Sequence, residues 1–266
     1  MNKITVKDIL QKKKEKRNIT ALSTYDFPFA KLVDESEIDI VLVGDSVGMV
    51  SLGYSSTLSV TMREMIHHTK AVSRAVKRAL VVADMPFGSY QDSTNRAVRN
   101  AKRFVQEAQA HAVKLEGGQR VINQAKTIVQ AGIPVMGHLG MTPQSVTQLG
   151  GYKVQGKLKK EADAILKDAL LLQKAGAFAI VLECVPVKLA KRITKKLKIP
   201  TIGIGAGPFV DGQILVLHDL LGFQSGVHPR FVRRYADLDR VIRTAISGFR
   251  TDVLNGKFPS REESFE

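Results

Sequence analysis

Five short apolar runs in this sequence each stop at an ionisable residue, and these five residues carry the chemistry that the chain could perform. They are Asp45, Asp84, Glu116, His138 and Glu183. Short apolar runs of this kind are typical of strands that are buried on both faces, as in parallel sheets. Each ionisable group would then stand at the carboxyl end of a strand. Because the carboxyl ends of parallel strands meet on one face, we expect these side chains to share one site.

Asp45, Asp84 and Glu116 would come from three consecutive strands and form a metal site. Three carboxylates without a histidine or cysteine partner suit a hard cation, and Mg2+ typically binds one or two carboxylates, waters and substrate oxygens. In the alternative interpretation, each acid caps a helix or pairs with one of the many lysines. Three apolar strands that end in the same way favour the metal site.

Three further polar side chains belong to the same predicted rim. Lys114 lies two residues before Glu116, so both side chains face inward on a strand of period two. Beside a bound cation, an inward lysine would bind the anionic part of a substrate; a Schiff base and a structural ion pair are the alternatives. Ser46 and His138 are hydrogen-bonding candidates for the substrate, although a single histidine is as often structural.

Glu183 is the candidate for proton transfer. It follows the apolar residues 180–182 and would lie opposite the three metal acids. Burial raises the pKa of a carboxyl group and makes it a better base near neutral pH. The alternative is that Glu183 supports a metal ligand without touching the substrate.

The elements that must position these residues alternate between strand and helix about eight times, which predicts an α/β fold of the (βα)8 TIM-barrel type. Residues 1–266 would form a single domain, with residues 229–235 and 255–266 as a C-terminal extension. A doubly wound open sheet is less consistent, because no strand-to-helix turn carries a dinucleotide-binding glycine pattern. The predicted strands span residues 18–25, 39–45, 79–87, 112–116, 133–138, 178–183, 199–204 and 213–218.

Local signals complete this architecture. Thr61 and Glu64 have the spacing of a capping box, which predicts a helix that begins at residue 62. Gly132 stands where a left-handed C-terminal cap belongs. Between residues 139 and 160 the periodic pattern fails, and glycines and a proline predict a long connection. Connections of this length are typical of lids, so we expect this one to close over the substrates.

Composition restricts the class of protein. The 266 residues include 40 lysines and arginines against 25 aspartates and glutamates, a formal net charge of +15. Nucleic-acid binding is therefore an alternative of a different class, but the basic residues are spread over many helices and lack an aromatic stacking platform. No apolar run approaches the roughly 18 residues that span a bilayer, and we recognise no targeting signal. We expect neither a nucleic-acid nor a membrane partner.

Cys184 is the only cysteine, so neither an intrachain disulfide nor a thiolate metal cluster can form. This usage fits a reducing cytoplasm. Cys184 directly follows Glu183 on a predicted strand, and their side chains should point to opposite faces. We expect Cys184 to pack as a small hydrophobe under the outer helices.

Several of these segments together resemble the ketopantoate hydroxymethyltransferase family, and the similarity extends in order from about residue 19 to residue 265. The matching segments are VGDS at 43–46, ADMPF at 83–87, VKLEGG at 113–118, GHLGMTPQS at 137–145, GGYKVQG at 150–156, LECVP at 182–186, IGIGAG at 202–207 and DGQILV at 211–216. A set of motifs in a fixed order is more specific than any single motif.

The resemblance implies a cytoplasmic, Mg2+-dependent barrel enzyme of pantothenate synthesis. It would transfer a one-carbon unit from 5,10-methylenetetrahydrofolate to 3-methyl-2-oxobutanoate and form 2-dehydropantoate. The family's metal ligands fall on Asp45, Asp84 and Glu116, and its proton acceptor falls on Glu183. Its substrate contacts fall on Asp45, Ser46, Asp84 and Lys114, to which the reading of the residues adds His138. The family also implies a homo-oligomer, specifically a decamer.

The chemistry of the residues and the resemblance agree on a mechanism. A 2-oxo acid can chelate Mg2+ through its carboxylate and ketone, so the metal would stabilise an enolate after Glu183 removes the adjacent proton. The alternative enzyme keeps the barrel and the metal but is a carbon-carbon lyase that acts on a carboxylic acid. Such a lyase would need no folate, so a turnover assay with and without the folate distinguishes the two.

Overall fold

Eight parallel strands form a closed barrel in which each strand pairs with its neighbours in sequence and β1 pairs with β8. The computed structural model describes residues 2–223 and 229–265; Met1, residues 224–228 and Glu266 lie outside the described residues. The prediction of a (βα)8 barrel is thus confirmed. The strands are β1 (Ile19–Ser23), β2 (Ile40–Val43), β3 (Leu80–Asp84), β4 (Ala112–Glu116), β5 (Val135–Gly140), β6 (Ala179–Glu183), β7 (Thr201–Ile204) and β8 (Gly212–Val216).

Helices alternate with most of these strands. Residues 205–211, which connect β7 to β8 and are all described, contain no helix. The strand-helix alternation that the sequence predicts therefore fails at this one connection. The helices are α1 (Val6–Lys14), α2 (Phe27–Glu35), α3 (Val47–Val50), α4 (Met62–Ala75), α5 (Thr94–Ala108), α6 (Ile122–Gln130), α7 (Lys159–Lys174), α8 (Val187–Lys196), α9 (Leu217–Leu220) and α10 (Leu238–Leu254).

The barrel interior is filled by alternate residues of the strands, as the period of two requires. Ile9 of α1 belongs to the same buried cluster. Lys114, Glu116 and His138 occupy the following inward positions on β4 and β5, towards the carboxyl ends. The apolar cluster consists of Ile9, Ile19, Ala21, Ile40, Leu42, Leu80, Val82, Ala112, Met136, Phe178, Ala179, Val181, Ile202 and Ile214.

Local sequence signals explain where several helices begin and end. The Thr61 hydroxyl accepts a hydrogen bond from the Glu64 backbone N–H, and the Glu64 carboxylate accepts one from the Thr61 backbone N–H, which confirms the capping box of α4. Gly132 has a φ of +82°, as its predicted left-handed cap position after α6 requires. None of the described helices combines the length and apolar character that crossing a bilayer requires.

The chain divides into two compact units, which we call the barrel unit (up to Val216) and the C-terminal unit (from Leu217). The C-terminal unit contains α9 and α10, and no side chain of α10 is buried. The single-domain organisation of residues 1–266 stays a prediction.

Candidate active site

Strand register places the predicted site residues side by side. Asp84 of β3 pairs with Lys114 of β4, and Glu116 of β4 pairs with His138 of β5. Glu183 stands at the end of β6, where it pairs with Gly140. Parallel register therefore places these side chains at successive levels of one end of the barrel: Asp84 with Lys114, then Glu116 with His138, then Glu183.

Asp45 follows β2 and reaches the same place through Gly44. A Cβ atom at residue 44 would lie 2.8 Å from the Ser46 hydroxyl and 3.5 Å from Oδ2 of Asp84. A side chain at residue 44 would therefore displace the Ser46 hydroxyl. The backbone N–H of Asp45 donates a 3.1 Å hydrogen bond to Oδ2 of Asp84. The hydroxyl of Ser46 forms a 2.8 Å hydrogen bond with the Tyr25 hydroxyl, so Ser46 also lies at this rim.

Lys114 is the central cation of the site. Its Nζ lies 2.8 Å from Oδ1 of Asp84, 3.9 Å from Oε1 of Glu116 and 3.1 Å from Nδ1 of His138. Burial opposes the ammonium form, but the carboxylates of Asp84, Glu116 and Asp45 outweigh burial and raise the pKa of Lys114 above its ordinary value. Lys114 is therefore a fixed positive charge at neutral pH.

The site contains more carboxylate groups than positively charged groups. Burial, followed by repulsion from Asp84 and Glu116, raises the pKa of Asp45 well above its ordinary value, and burial likewise raises the pKa of Asp84. Burial also disfavours the ionised form of Glu116, but hydrogen bonding with His138 outweighs it and lowers the pKa of Glu116. The three acids are 3–5% exposed. Their ionised forms would be stabilised by additional positive charge.

His138 connects Glu116 to Glu183. Its Nδ1 lies 3.4 Å from Oε1 of Glu116, and its Nε2 lies 3.2 Å from Oε2 of Glu183. Burial and Lys114 oppose protonation of the ring, but the interactions with Glu116 and Glu183 prevail and raise the pKa of His138 to about 9. The imidazolium form would present one N–H group to each carboxylate. The side chain of Glu183 is 17% exposed, so it is the most accessible acid of the site.

The chemistry of this donor set fits a hard cation, although its geometry is not that of a formed metal centre. Oδ1 of Asp84 and Oε1 of Glu116 are buried without a hydrogen bond of good geometry, although each lies at ion-pair distance from Lys114 or His138. Both oxygens are therefore placed where a cation is favoured. In the part of the chain that the structure describes, however, no three His, Cys, Asp or Glu side chains are placed so that they could hold a metal ion. Lys114 Nζ lies among the carboxylates instead.

Gln144 and Tyr90 are site residues that sequence reasoning missed. Nε2 of Gln144 donates a 2.8 Å hydrogen bond to Oδ2 of Asp45, and its backbone N–H donates a 2.9 Å hydrogen bond to Oε2 of Glu116. The Tyr90 hydroxyl donates to Oε1 of Gln144 at 2.8 Å. Neither residue ends an apolar run; the only available signal was that Gln144 follows β5 directly after Pro143.

The predicted lid has an anchored part and an exposed part. The backbone N–H of Met141 donates to the Glu183 carbonyl, and that of Gln155 donates to the Cys184 carbonyl, both at 2.9 Å. Between these anchors, Tyr152 is 57% exposed, and its hydroxyl lies 3.4 Å from Sδ of Met49 in α3. The segment after β5 therefore reaches the region that follows β2.

The predicted strand position of Cys184 is wrong. Cys184 has a φ of +47°, so the chain turns into the left-handed region directly after the last paired residue of β6. Opposite faces for Glu183 and Cys184 do not follow, because the strand alternation stops at Glu183. The thiol is half-buried, and burial followed by the charge of Glu183 raises its pKa to about 11. This pKa is consistent with an unreactive thiol.

Sequence comparison finds relatives over nearly the whole chain. Residues 3–261 match the family model described as ketopantoate hydroxymethyltransferase. The 3-methyl-2-oxobutanoate hydroxymethyltransferase of a Thermoanaerobacter species is 57% identical over 263 residues, which cover 99% of this chain and 96% of the relative. The enzyme with the same description from Acetivibrio thermocellus is 55% identical over 265 residues, which cover 100% of this chain and 94% of the relative.

Solved structures share the fold at low sequence identity. A phosphonopyruvate hydrolase in complex with oxalate and Mg2+ superposes with a TM-score of 0.61 at 12% identity, covering 98% of this chain and 93% of the other. A 2,3-dimethylmalate lyase of the PEP mutase/isocitrate lyase superfamily gives a TM-score of 0.61 at 13% identity, covering 98% and 91%. At these identities the likenesses show the fold alone.

Proposed function

The chain belongs to the ketopantoate hydroxymethyltransferase family, and from this premise we propose how its buried charge cluster performs the family's reaction. The chain is a hydroxymethyltransferase that acts on 3-methyl-2-oxobutanoate and forms ketopantoate, a step of pantothenate synthesis. Such a transfer requires a one-carbon donor, for which we propose 5,10-methylenetetrahydrofolate. The observation that carries the proposal is the convergence of Asp45, Asp84, Glu116 and Lys114 with the His138–Glu183 pair.

Asp45, Asp84 and Glu116 would hold a Mg2+ ion. The support is the excess of buried carboxylate over positive charge, together with the two carboxylate oxygens that lack good hydrogen bonds. A bound Mg2+ would polarise the ketone of the oxo acid and stabilise the negative charge that deprotonation produces.

Lys114 and Ser46 would bind and orient the oxo acid. Lys114 supplies a fixed positive charge for the substrate carboxylate, and the Ser46 hydroxyl, held by Tyr25, supplies a hydrogen bond. His138, whose ring contacts both Lys114 and Glu183, would contribute a further polar contact and hold Glu183 in place. The substrate would thus be oriented before any proton moves.

Glu183 would accept the proton on the carbon next to the ketone. It stands at the end of β6, is the most exposed acid of the site, and is oriented by Nε2 of His138 at 3.2 Å. The carbon that loses its proton would form a C–C bond with the one-carbon unit of the donor. Both C–N bonds of that unit break, one water supplies the oxygen of the new hydroxymethyl group, and the two folate nitrogens take up the proton from Glu183 and one proton of that water. The segment from 146 to 154 would limit the access of bulk water, since its Tyr152 contacts Met49 of α3.

The test separates proton removal from transfer. Wild-type enzyme should exchange the C3 proton of 3-methyl-2-oxobutanoate with solvent deuterium and should need the folate donor for turnover. Glu183→Gln should bind the oxo acid but lose the exchange, whereas Glu107→Gln, which alters an exposed glutamate paired with Arg103, should exchange normally. Normal exchange in Glu183→Gln would exclude the proposed base. Consumption of a carboxylic acid without the folate would support the lyase alternative. The observation that favours this alternative is the fold shared with a 2,3-dimethylmalate lyase.

We also propose a cytoplasmic homo-oligomer, a decamer. The support is the exposed apolar surface of α10. Its side chains Val241, Ile246, Phe249, Val253 and Leu254 are 45–67% exposed. A second copy of the chain would cover this face. Analytical ultracentrifugation of the wild type should give the mass of ten chains, and Phe249→Glu should shift it towards smaller species. A monomeric wild type would refute the assembly and leave the reaction untouched.

A further inference from the structure

Gln144 is a buried glutamine that contacts two of the three candidate metal ligands at once. It is 5% exposed and lies in the 3-10 turn Pro143–Ser145, directly after β5. Its side-chain Nε2 donates to Oδ2 of Asp45 at 2.8 Å, and its backbone N–H donates to Oε2 of Glu116 at 2.9 Å. One residue therefore fixes one oxygen of each of these two carboxylates.

The amide of Gln144 has only one possible orientation. The Tyr90 hydroxyl accepts a 2.9 Å hydrogen bond from the Glu116 backbone N–H, and of the two acceptors near its own proton, Oε1 of Gln144 at 2.8 Å is closer than the Glu116 carbonyl at 3.1 Å. On the other side, the carbonyl of Met85, which can only accept, lies 2.9 Å from Nε2 of Gln144. With Oε1 towards Tyr90 and Nε2 towards Met85, the amide must present an N–H group to Asp45.

A second donor reinforces this arrangement. Nε2 of Gln91 lies 3.0 Å from Oε1 of Gln144, so the amide oxygen has two donors and the amide nitrogen has two acceptors. Tyr90 is only 1% exposed and cannot rotate towards water. A fully satisfied buried amide is rigid, because any other orientation would leave several polar groups unpaired.

We propose that Gln144, oriented by Tyr90, is a positioning residue that determines which oxygens of Asp45 and Glu116 remain for the cation and the substrate. This inference rests on the proposed cation-dependent function. Gln144 uses Oδ2 of Asp45 and Oε2 of Glu116, and it leaves the remaining oxygen of each carboxylate for the reaction. Without the side chain of Gln144, the Asp45 carboxylate could rotate, and binding a cation would require it to be ordered first, whereas the backbone N–H of residue 144 would still hold Oε2 of Glu116.

The test measures cation affinity directly, without turnover. Gln144→Met keeps the length of the side chain. It removes the side-chain amide, which donates to Asp45 and Met85, and keeps the backbone N–H that donates to Glu116. By analogy with residues that orient metal ligands elsewhere, calorimetric titration with Mg2+ or Mn2+ should show an affinity about 10–100-fold weaker than in the wild type. Tyr90→Phe removes the hydroxyl that donates to Gln144 and accepts from the Glu116 backbone N–H, and it should weaken affinity in the same direction by a smaller factor.

Gln148→Met is the matched control. Gln148 lies on the same segment, is exposed, and accepts a hydrogen bond from Arg120 at 2.9 Å. Its substitution should leave cation affinity at the wild-type value. Circular dichroism and thermal unfolding would establish that each variant is folded before it is titrated.

The outcomes separate this inference from the proposed function. Wild-type affinity in folded Gln144→Met would overturn the positioning role while leaving the metal site in place. If Gln144→Met does not fold, Tyr90→Phe decides: wild-type affinity in that variant overturns the inference, and reduced affinity supports it. A wild-type chain that binds no divalent cation would refute the metal site and this inference together.

Discussion

Asp45 should destabilise the barrel when no cation is bound. It is 3% exposed, and burial together with Asp84 and Glu116 raises its pKa well above the ordinary aspartate value. A group whose folded pKa is raised contributes stability below its unfolded pKa, and this contribution is lost as pH rises through the folded pKa. As pH rises above the ordinary aspartate range, the metal-free chain therefore loses stability at Asp45, and Asp45→Asn avoids this loss without a change of shape.

Asp45→Asn should raise the stability of the metal-free chain but lower the stability of the chain with bound cation, each relative to the wild type. In its absence, relieving one unfavourable active-site charge should stabilise the chain by about 0.5–2 kcal/mol, a rise in Tm of roughly 1–8 °C for a chain of this size. At Mg2+ concentrations of about 100 times Kd, the wild type should gain about 2.7 kcal/mol, or roughly 5–10 °C. Asp45→Asn should lose most of this Mg2+-dependent gain.

Thermal unfolding at several pH values, with Mg2+ and with a chelator, measures both effects. As pH rises above the ordinary aspartate range, the metal-free wild type should lose stability relative to Asp45→Asn. Asp34→Asn is the control: Asp34 is also buried, but its carboxylate accepts backbone hydrogen bonds from residues 77, 78 and 79 at 2.7–3.1 Å. That variant should be less stable at neutral pH and keep the Mg2+ response. A metal-free Asp45→Asn that is less stable than the wild type would refute the reasoning.

Two further predictions concern the buried lysine and the exposed segment. Lys114→Met should lower the free energy of unfolding by about 3–5 kcal/mol and raise KM for the oxo acid, because it leaves buried carboxylates without their cation; urea unfolding and steady-state kinetics measure both effects. Lys31→Met, at an exposed pair, should cost less than about 1 kcal/mol, and equal losses would contradict the argument. Tyr152→Ala should lower kcat several-fold without lowering Tm, since the ring is 57% exposed and contacts Met49. Leu158→Ala, at a 66% exposed residue of the same 139–160 connection but outside residues 146–154, should leave kcat unaltered; a similar kcat in both variants would exclude the closing role.

The barrel and the convergence of the site could be predicted from the sequence because both depend on strand periodicity. Inward positions on β4 alternate by two, so Lys114 and Glu116 had to face the same interior, and the structure places them there. Strand ends were less predictable. The predicted third strand continued to residue 87, whereas β3 ends at Asp84, since Pro86 has no N–H group to continue the ladder.

Features that depend on contacts between distant segments could not be predicted. Gly48 lies within α3, where a Cβ atom would be 2.5 Å from the side chain of Val60, which follows it by 12 residues. Gln144 belongs to the site only because Asp45, which is 99 residues away in sequence, reaches its amide. Periodicity contains no information about such partners.

Charge balance, rather than residue type, distinguishes the functional end of the barrel from the structural end. Asp39 and Asp45 flank the same strand, and both are almost fully buried. Asp39 forms a 2.6 Å ion pair with Lys12 of α1 and lies 3.8 Å from Arg78, so positive charge from the chain itself satisfies it. Asp45 lies beside Asp84, and among the described residues no lysine or arginine forms an ion pair with it. One end of β2 is therefore neutralised by the chain itself, whereas the other end would be neutralised by the cation that we propose to bind there.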